Sequence, residues 1–283
     1  MPVLGIIGGS GLYDMPGLER VEEALPETPY GMPSSPIISG YIGETHLAFL
    51  ARHGRGHVFA PTDVPYRANI AALRSLGVRQ VLSISAVGSL QEPLAPRSAV
   101  IPDQIIDRTT SRPRTFFDDG IVAHVGMADP FCSTLSAAVQ AHAGASSGGA
   151  VHAGGTYLCI EGPQFSTRAE SYLFRSWGAD IIGMTAMPEA RLAREAGMCY
   201  AMLAMVTDYD VWHESEADVS VEAVQRVLRD NIDVGRAVIQ RLADAGIPAC
   251  GAGCRDALEH AIITDERTFS ETARSRLAFL TDA

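Results

Sequence analysis

Two carboxylates separated by one residue, in Asp208-Tyr209-Asp210, follow an apolar run over 200–206. In an extended segment the side chains at 208 and 210 leave the backbone on the same side. Like charges so close repel, so at least one of the pair is expected to hold its proton above the usual carboxylate range. Such a pair can bind a metal, act as acid and base, or hold the edge of a base; it can equally be a solvated turn. No His or Cys at ligand spacing accompanies it, which disfavours a metal. A second set of residues has the chemistry of anion binding. Gly8-Gly9-Ser10-Gly11 follows the short apolar run 3–7, and glycines let successive N–H groups converge on one concavity to which a Ser hydroxyl adds a donor. Arg52-His53-Gly54 follows another apolar run; Arg offers a planar fork suited to phosphate and His a further donor. Ser85-Ala86 and Thr185 put small hydroxyl residues at strand ends, where open α/β sheets place their ligands. Each feature has a bland reading, a tight turn or a surface Arg beside a core His. Four in one chain are harder to dismiss than one. Glu161 also ends a strand, before Gly162-Pro163.

These residues need a scaffold. The runs 3–7, 45–50, 80–85, 155–160, 181–184 and 200–206 predict strands, and 99–106 predicts another, interrupted by Pro102. Helical spacing predicts helices over 66–76, stopped by Gly77, 130–143, 168–177, stopped by Gly178, 188–196 and 221–243. Val224, Val227, Leu228, Ile232, Val234 and Val238 form the apolar side of the longest. A shorter helix is expected around 254–263, and the last twenty residues are mostly polar. The polar and aromatic stretch 109–129 reads as a long functional loop. Alternating strands and helices predict an α/β fold: one domain over 1–283, a central mixed or mostly parallel sheet flanked by helices, and a helical C-terminal segment from about 244. No linker divides the chain.

Composition narrows the classes. Apolar residues make up 47% of the 283, enough for a real core. A formal charge of −11 argues against nucleic acid as a partner but not against one small phosphate. The start has no basic n-region and its apolar run is too short for a signal peptide or a membrane span, so a cytoplasmic protein is expected. Cys132, Cys159, Cys199, Cys250 and Cys254 are odd in number and scattered, which predicts no disulfide framework. Cys250 and Cys254 lack a nearby second pair, so free thiols and no metal are expected. An NAD-dependent oxidoreductase is the alternative that the strand-and-glycine start allows. The Gly-x-Gly-x-x-Gly fingerprint is incomplete, since Gly9-Ser10-Gly11 is followed by Leu12-Tyr13-Asp14, and no acidic residue marks a later strand end near 30.

The segments GIIGGSGLYD, ARHGRGH, AVGSL, IDRTTSRPRTFFD, EGPQFSTRAES, WGADIIGMTAMPEA and MVTDYDVW are collinear from residue 3 to about 242. With them the chain resembles the trimeric purine-nucleoside phosphorylases, and within these the methylthioadenosine phosphorylases. The resemblance implies a purine-nucleoside phosphorylase-like fold, usually a homotrimer and in some cases a hexamer. It implies no cofactor, with inorganic phosphate as co-substrate. Ser10, Arg52, His53, Ser85, Ala86 and Thr185 would hold phosphate, with His53 and Asp208 catalytic. Met184 would pack under the ribose, Phe165 would line the sugar–base site, and Asp208 and Asp210 would hold the adenine edge. His124 would cap the 5′ end in a neighbouring subunit, and Ser166 and Val221 would set which substituents fit. Asp210 facing a 6-amino group pairs acceptor with donor, whereas a 6-oxo group would oppose two acceptors. Gly183 departs from the Asn that many methylthioadenosine enzymes carry before Met-Thr, so a broad phosphorylase acting on adenosine or inosine stays open; against a silent nucleoside binder, every phosphate donor that the resemblance implies is present.

Overall fold

The computed structural model describes residues 3–9, 11–12, 14–144, 149–214 and 221–281, with side chains for all of these except 221–231 and 281. Its strands are β1 (Val3–Gly8), β2 (Glu19–Ala24), β3 (Ile37–Ile42), β4 (Thr45–Ala51), β5 (Val78–Ser89), β6 (Ala99–Ile101), β7 (Gln104–Asp107), β8 (Val151–Ala153), β9 (Thr156–Cys159), β10 (Ile181–Gly183) and β11 (Cys199–Asp208). The helices are α1 (Tyr66–Ser75), α2 (Ser133–Ala143), α3 (Arg168–Ser176), α4 (Ala186–Glu195), α5 (Val221–Ala245) and α6 (Glu271–Thr281).

All the strands belong to one mixed sheet, in the order β2-β3-β4-β1-β5-β10-β9-β7, with β11 on the other side of β5 and β6 and β8 beyond it. At its centre β4, β1, β5 and β11 run parallel. Their C-terminal ends therefore open on one edge, where α/β sheets hold ligands. These strands are buried on both faces, which explains their continuous apolar runs. Alternate residues of β11 serve opposite cores: Tyr200, Met202, Ala204 and Val206 face the side of α1 and α4, while Ala201, Leu203 and Met205 face the side of α2 and α5. Among the described residues no helix is long and apolar enough to cross a membrane.

The core strands and the helices over 66–75, 133–143, 168–176, 186–195 and 221–245 agree with the periodicity, and Gly77 and Gly178 stop their helices with φ of +84° and +78°. Pro102 splits the run 99–106 into β6 and β7. Three readings are corrected. The shorter helix around 254–263 is a single 3-10 turn, Cys254–Asp256, because Gly253 before it and His260 after it both adopt positive φ. The polar C-terminus forms α6, whose Ala273, Leu277, Phe279 and Leu280 pack against the core, with Phe279 on Tyr30 and Phe116. The cysteines are scattered only in sequence: the sulfurs of Cys132, Cys199, Cys250 and Cys254 lie within 4.8 Å of one another. Spacing could not reveal this, because Cys132 and Cys199 come from the N-cap of α2 and from β11, far in sequence from the loop that carries Cys250 and Cys254.

The stretch 109–129 is irregular but tightly held. Arg112 has a fully buried side chain and donates to Met184 O at 2.7 Å, Met187 O at 2.5 Å and Glu161 O at 2.6 Å. Glu161 accepts from the N–H groups of Thr110 and Ser111 at 2.5 and 2.9 Å and pairs with Arg112 Nε at 2.9 Å. Burial raises its pKa, but these donors outweigh burial and hold the carboxyl at about 2, down from its ordinary 4.5. A depressed pKa stabilises the fold above about pH 4.5, and that contribution is lost as pH falls toward 2. Glu161→Gln, which leaves the Arg112 charge buried without its partner, should lower stability by about 3 kcal/mol. Urea unfolding near neutral pH checks this, and the gap between wild type and variant should narrow as the titration is repeated at lower pH.

Candidate active site

One large pocket lies at the C-terminal edge of the parallel strands, and Arg52, His53, Ser85, Ala86, Phe165, Ser166, Met184, Thr185, Asp208 and Asp210 all line it. Ser10 lies outside the described residues, though Gly9 and Leu12 beside it reach the pocket. The Val221 side chain is likewise outside them; further along α5, Ile232 joins the wall. His124 is exposed and does not line the pocket of its own chain; its N–H bonds Ala261 O.

One end of the pocket gathers two hydroxyls and a guanidinium. Ser85 Oγ and Thr185 Oγ1 are 3.2 Å apart. Thr185 stands just before α4, whose first turn is broken at the extended Met187, and its hydroxyl caps no backbone N–H, so it is left to turn toward the pocket. Arg52 is only 2% exposed, and its guanidinium is engaged from behind: Nε and Nη2 grip Glu189 at 2.8 and 3.0 Å, and Nη2 also meets Ser83 Oγ at 2.7 Å. The expectation of a two-pronged fork on phosphate is corrected here. Glu189 takes the fork, and Nη1, which touches Ile84 O at 3.3 Å, is the end left for an anion. Burial by itself would lower the Arg52 pKa, but the Glu189 carboxylate more than offsets it, so the charge is secure.

His53 stacks on His57 with centroids 4.3 Å apart, and its Nδ1 lies 2.9 Å from Phe59 O. A carbonyl can only accept, so Nδ1 carries the proton. Burial and then the Arg52 charge push the His53 pKa down to about 4, leaving Nε2 an unprotonated acceptor near neutral pH. His53 Nε2 thus offers an acceptor to the pocket, where the sequence suggested a donor.

The other end carries the two carboxylates. β11 ends at Asp208, and Asp210 has φ of +52°, so the pair is a turn and not the extended segment assumed from spacing. Asp208 Oδ1 accepts the Asp210 N–H at 2.8 Å and Oδ2 accepts the Thr207 hydroxyl at 2.7 Å. The raised pKa also has a different main cause. Burial pushes Asp208 up to about 6, with repulsion from Asp210 the least of the effects. Burial raises Asp210 as well, with the Ser171 and Ser166 hydroxyls opposing. Asp210 Oδ2 is buried and, like the Ser166 and Ser171 hydroxyls that bear on this carboxylate, makes no close hydrogen bond within the chain, so it can take a donor from outside. Gly88 lets this turn lie close to β5, since an added Cβ would sit 3.0 Å from Asp208 Oδ1 and 3.4 Å from Asp210 Cβ.

Sequence reasoning missed Glu189, His57 and Tyr157. Glu189 stands in the MPEA segment, and a carboxylate in a helix otherwise buried was the available signal. Tyr157 explains the Gly183 departure. Its buried hydroxyl accepts the Thr185 N–H at 3.4 Å, and a Cβ at residue 183 would land on that hydroxyl and 2.7 Å from its ring carbon.

A family model described as the phosphorylase superfamily matches residues 3–244. The chain belongs to this superfamily. Among curated proteins it is 49% identical over 276 residues to the S-methyl-5′-thioadenosine phosphorylase of Geobacter sulfurreducens, covering 97% of this chain and 96% of that one. It is 52% identical over 270 residues to that of Cereibacter sphaeroides, covering 93% and 91%. A methylthioadenosine phosphorylase sourced from an Antarctic soil metagenomic library superposes with a TM-score of 0.92 at 49% identity, covering 98% of each chain. The methylthioadenosine phosphorylase of Schistosoma mansoni in complex with adenine gives 0.82 at 36%, covering 87% and 91%.

Gly183→Ala should cost about 1–3 kcal/mol of stability through overpacking. Tyr157→Phe, combined with it, removes the atom struck first and should recover part of the loss. Thermal melts of the two single variants and the double variant read this coupling.

Proposed function

We propose that this chain is an S-methyl-5′-thioadenosine phosphorylase, releasing adenine and 5-methylthioribose 1-phosphate with inorganic phosphate as co-substrate and no cofactor. The observation that carries the reading is the placement of Asp208 and Asp210 in the same pocket as Ser85, Thr185, His53 and Arg52. A base-holding acidic end and an anion-holding end then flank a single ribosyl group.

Phosphate attacks C1′ as the bond to N9 breaks, and the ribosyl group carries positive charge between them. Catalysis is mainly positioning plus electrostatics. Ser85, Thr185, the Ala86 backbone and Arg52 Nη1 hold the anion. His53 Nε2 accepts the phosphate O–H and so turns an unprotonated oxygen toward C1′. Met184 and Phe165 pack against the sugar and base. The departing adenine gains negative charge, which a proton at N7 relieves. Asp208, with its pKa raised to about 6, is the donor. Asp210 accepts from the 6-amino group, which satisfies its unpartnered Oδ2. Few polar partners for a 5′-hydroxyl are found among His124, Phe165 and Val221, which favours the methylthio substituent; the Tyr157–Gly183 pair does not choose between the two. A broad purine-nucleoside phosphorylase is the second reading.

The assembly is a homotrimer in which His124 enters a neighbour's pocket at the 5′ end. Its exposure beside the exposed apolar Val122, Ile262 and Ile263 supports this. Free thiols at all five cysteines fit a reducing cytoplasm, and the reaction serves purine and methionine salvage.

Base release should be measured from methylthioadenosine, adenosine and inosine, each with and without phosphate. Methylthioadenosine with phosphate should be fastest, and release without phosphate would make the protein a hydrolase. In the same assay Asp210→Asn should shift selectivity from methylthioadenosine toward inosine by about tenfold or more, or 1.4 kcal/mol; unchanged selectivity sinks the base assignment. Asp208→Ala should lower kcat/KM by about 10²–10⁴-fold, the range for a lost general acid. The protonated form is the active one, so wild-type kcat at saturating phosphate should fall as pH rises past the Asp208 pKa of about 6. A flat profile to about pH 9 would remove Asp208 as donor.

A further inference from the structure

At the end of β11 away from the pocket, four cysteines converge. Cys132 is the N-cap of α2, Cys199 opens β11, Cys250 follows α5, and Cys254 opens the 3-10 turn. Their sulfurs all lie within 4.8 Å of one another; three of the residues are buried and Cys250 is half-buried. None is in a disulfide.

We propose that these four sulfurs bind one zinc ion as a closed, structural tetrathiolate site. Zinc bound at about 2.3 Å by four thiolates sets the sulfurs at the corners of a tetrahedron with edges of about 3.8 Å. With no sulfur pair farther apart than 4.8 Å, no edge must shorten by more than about 1 Å. Two disulfides would need two separate pairs bonded at about 2.05 Å. A set in which every sulfur neighbours the other three fits a central ion better. Soft thiolates exclude the hard cations, and four protein ligands leave no open position for chemistry. Loading is balanced: one Zn²⁺ enters, four thiol protons leave to solvent, and the cluster keeps a net charge of −2. The surroundings suit that charge. Cys132 sits at the positive, N-terminal end of α2, and the Arg194 guanidinium bears on Cys254.

The loop that supplies two ligands is shaped for the purpose. Gly253, at φ +66°, turns the chain between Cys250 and Cys254, and Gly251 N–H bonds Thr134 Oγ1 at 3.1 Å on α2. Beyond the loop, Ala261 O and Ile263 N–H bond His124 N–H and Val122 O. The ion therefore pins the C-terminal segment to the sheet, and that segment in turn holds the stretch bearing His124. The pocket is about 30 Å away along β11, nine residue steps of about 3.3 Å.

The test uses the full chain, purified without chelators or metal-affinity resin. Elemental analysis should find about one zinc per chain, and Cys250→Ser with Cys254→Ser should abolish it. Cobalt(II) exchanged into the wild type should give the strong visible absorption of a tetrahedral tetrathiolate. A chelator should lower Tm by several degrees, and added zinc should restore it; the double variant should start low and respond to neither. An equivalent of iron instead of zinc would overturn the choice of ion. Metal-free protein lighter by four hydrogens under non-reducing conditions would overturn the site in favour of two disulfides. So would free thiols that take up neither zinc nor cobalt on titration.

Discussion

A guanidinium sealed in a protein core must have its charge answered, and the pocket rests on how Glu189 answers Arg52. The pair joins the end of β4 to α4, and Ser83 from β5 and Tyr200 from β11 add hydrogen bonds to Glu189 at 2.9 and 2.8 Å. Four elements thus meet under the anion end, at the edge where the parallel strands terminate. Buried pairs of this kind are weak evidence of net stability, because desolvation opposes the Coulombic gain. They do fix geometry, since every member must keep its partners or leave a charge unsatisfied. Burial first, and this remaining positive charge second, lower the neighbouring His53 pKa and keep that ring neutral.

From this knot outward the site is a study in paired opposites. Arg52 stays charged because a carboxylate lies behind it, while His53 stays neutral because burial and that cation both oppose its protonation. Asp208 sits across the pocket and is poised near 6 by burial, against two hydrogen bonds that favour its ionised form. One cleft therefore holds a fixed cation, an acceptor imidazole and a carboxyl that can carry a proton. Glu161 and Arg112 close the arrangement from the side, tying the irregular stretch after β7 to the carbonyls of Met184 and Met187.

β11 connects two different chemistries. At its C-terminal end the carboxylates face the pocket; at its N-terminal end Cys199 meets three other thiols. Because both faces of the strand are packed, it is a stiff reference for each. The C-terminal segment, which has little apolar surface of its own, is fastened at its start by the thiol cluster and further on by α6 against Tyr30 and Phe116.

The core strands, five of the helices and the identity of most pocket residues were legible in the sequence, because two-faced burial writes continuous apolar runs and strand-end glycines, hydroxyls and carboxylates stand out against them. The edge hairpin β2–β3 was not, since β2 is exposed and charged, nor was α6, whose few apolar residues show no clear period until the core they touch is known. Within the site the sequence supplied residue types, and the fold decided what each does. Whether Arg52 forks a phosphate or a carboxylate depends on where α4 brings Glu189. Whether His53 donates or accepts depends on a carbonyl six residues away. The opening pair, Asp208 and Asp210, was visible from its spacing, but its raised pKa comes from burial rather than mutual repulsion. The four cysteines show the limit most plainly: spacing along a chain carries no information on sulfurs that only strand order and helix packing bring within 4.8 Å.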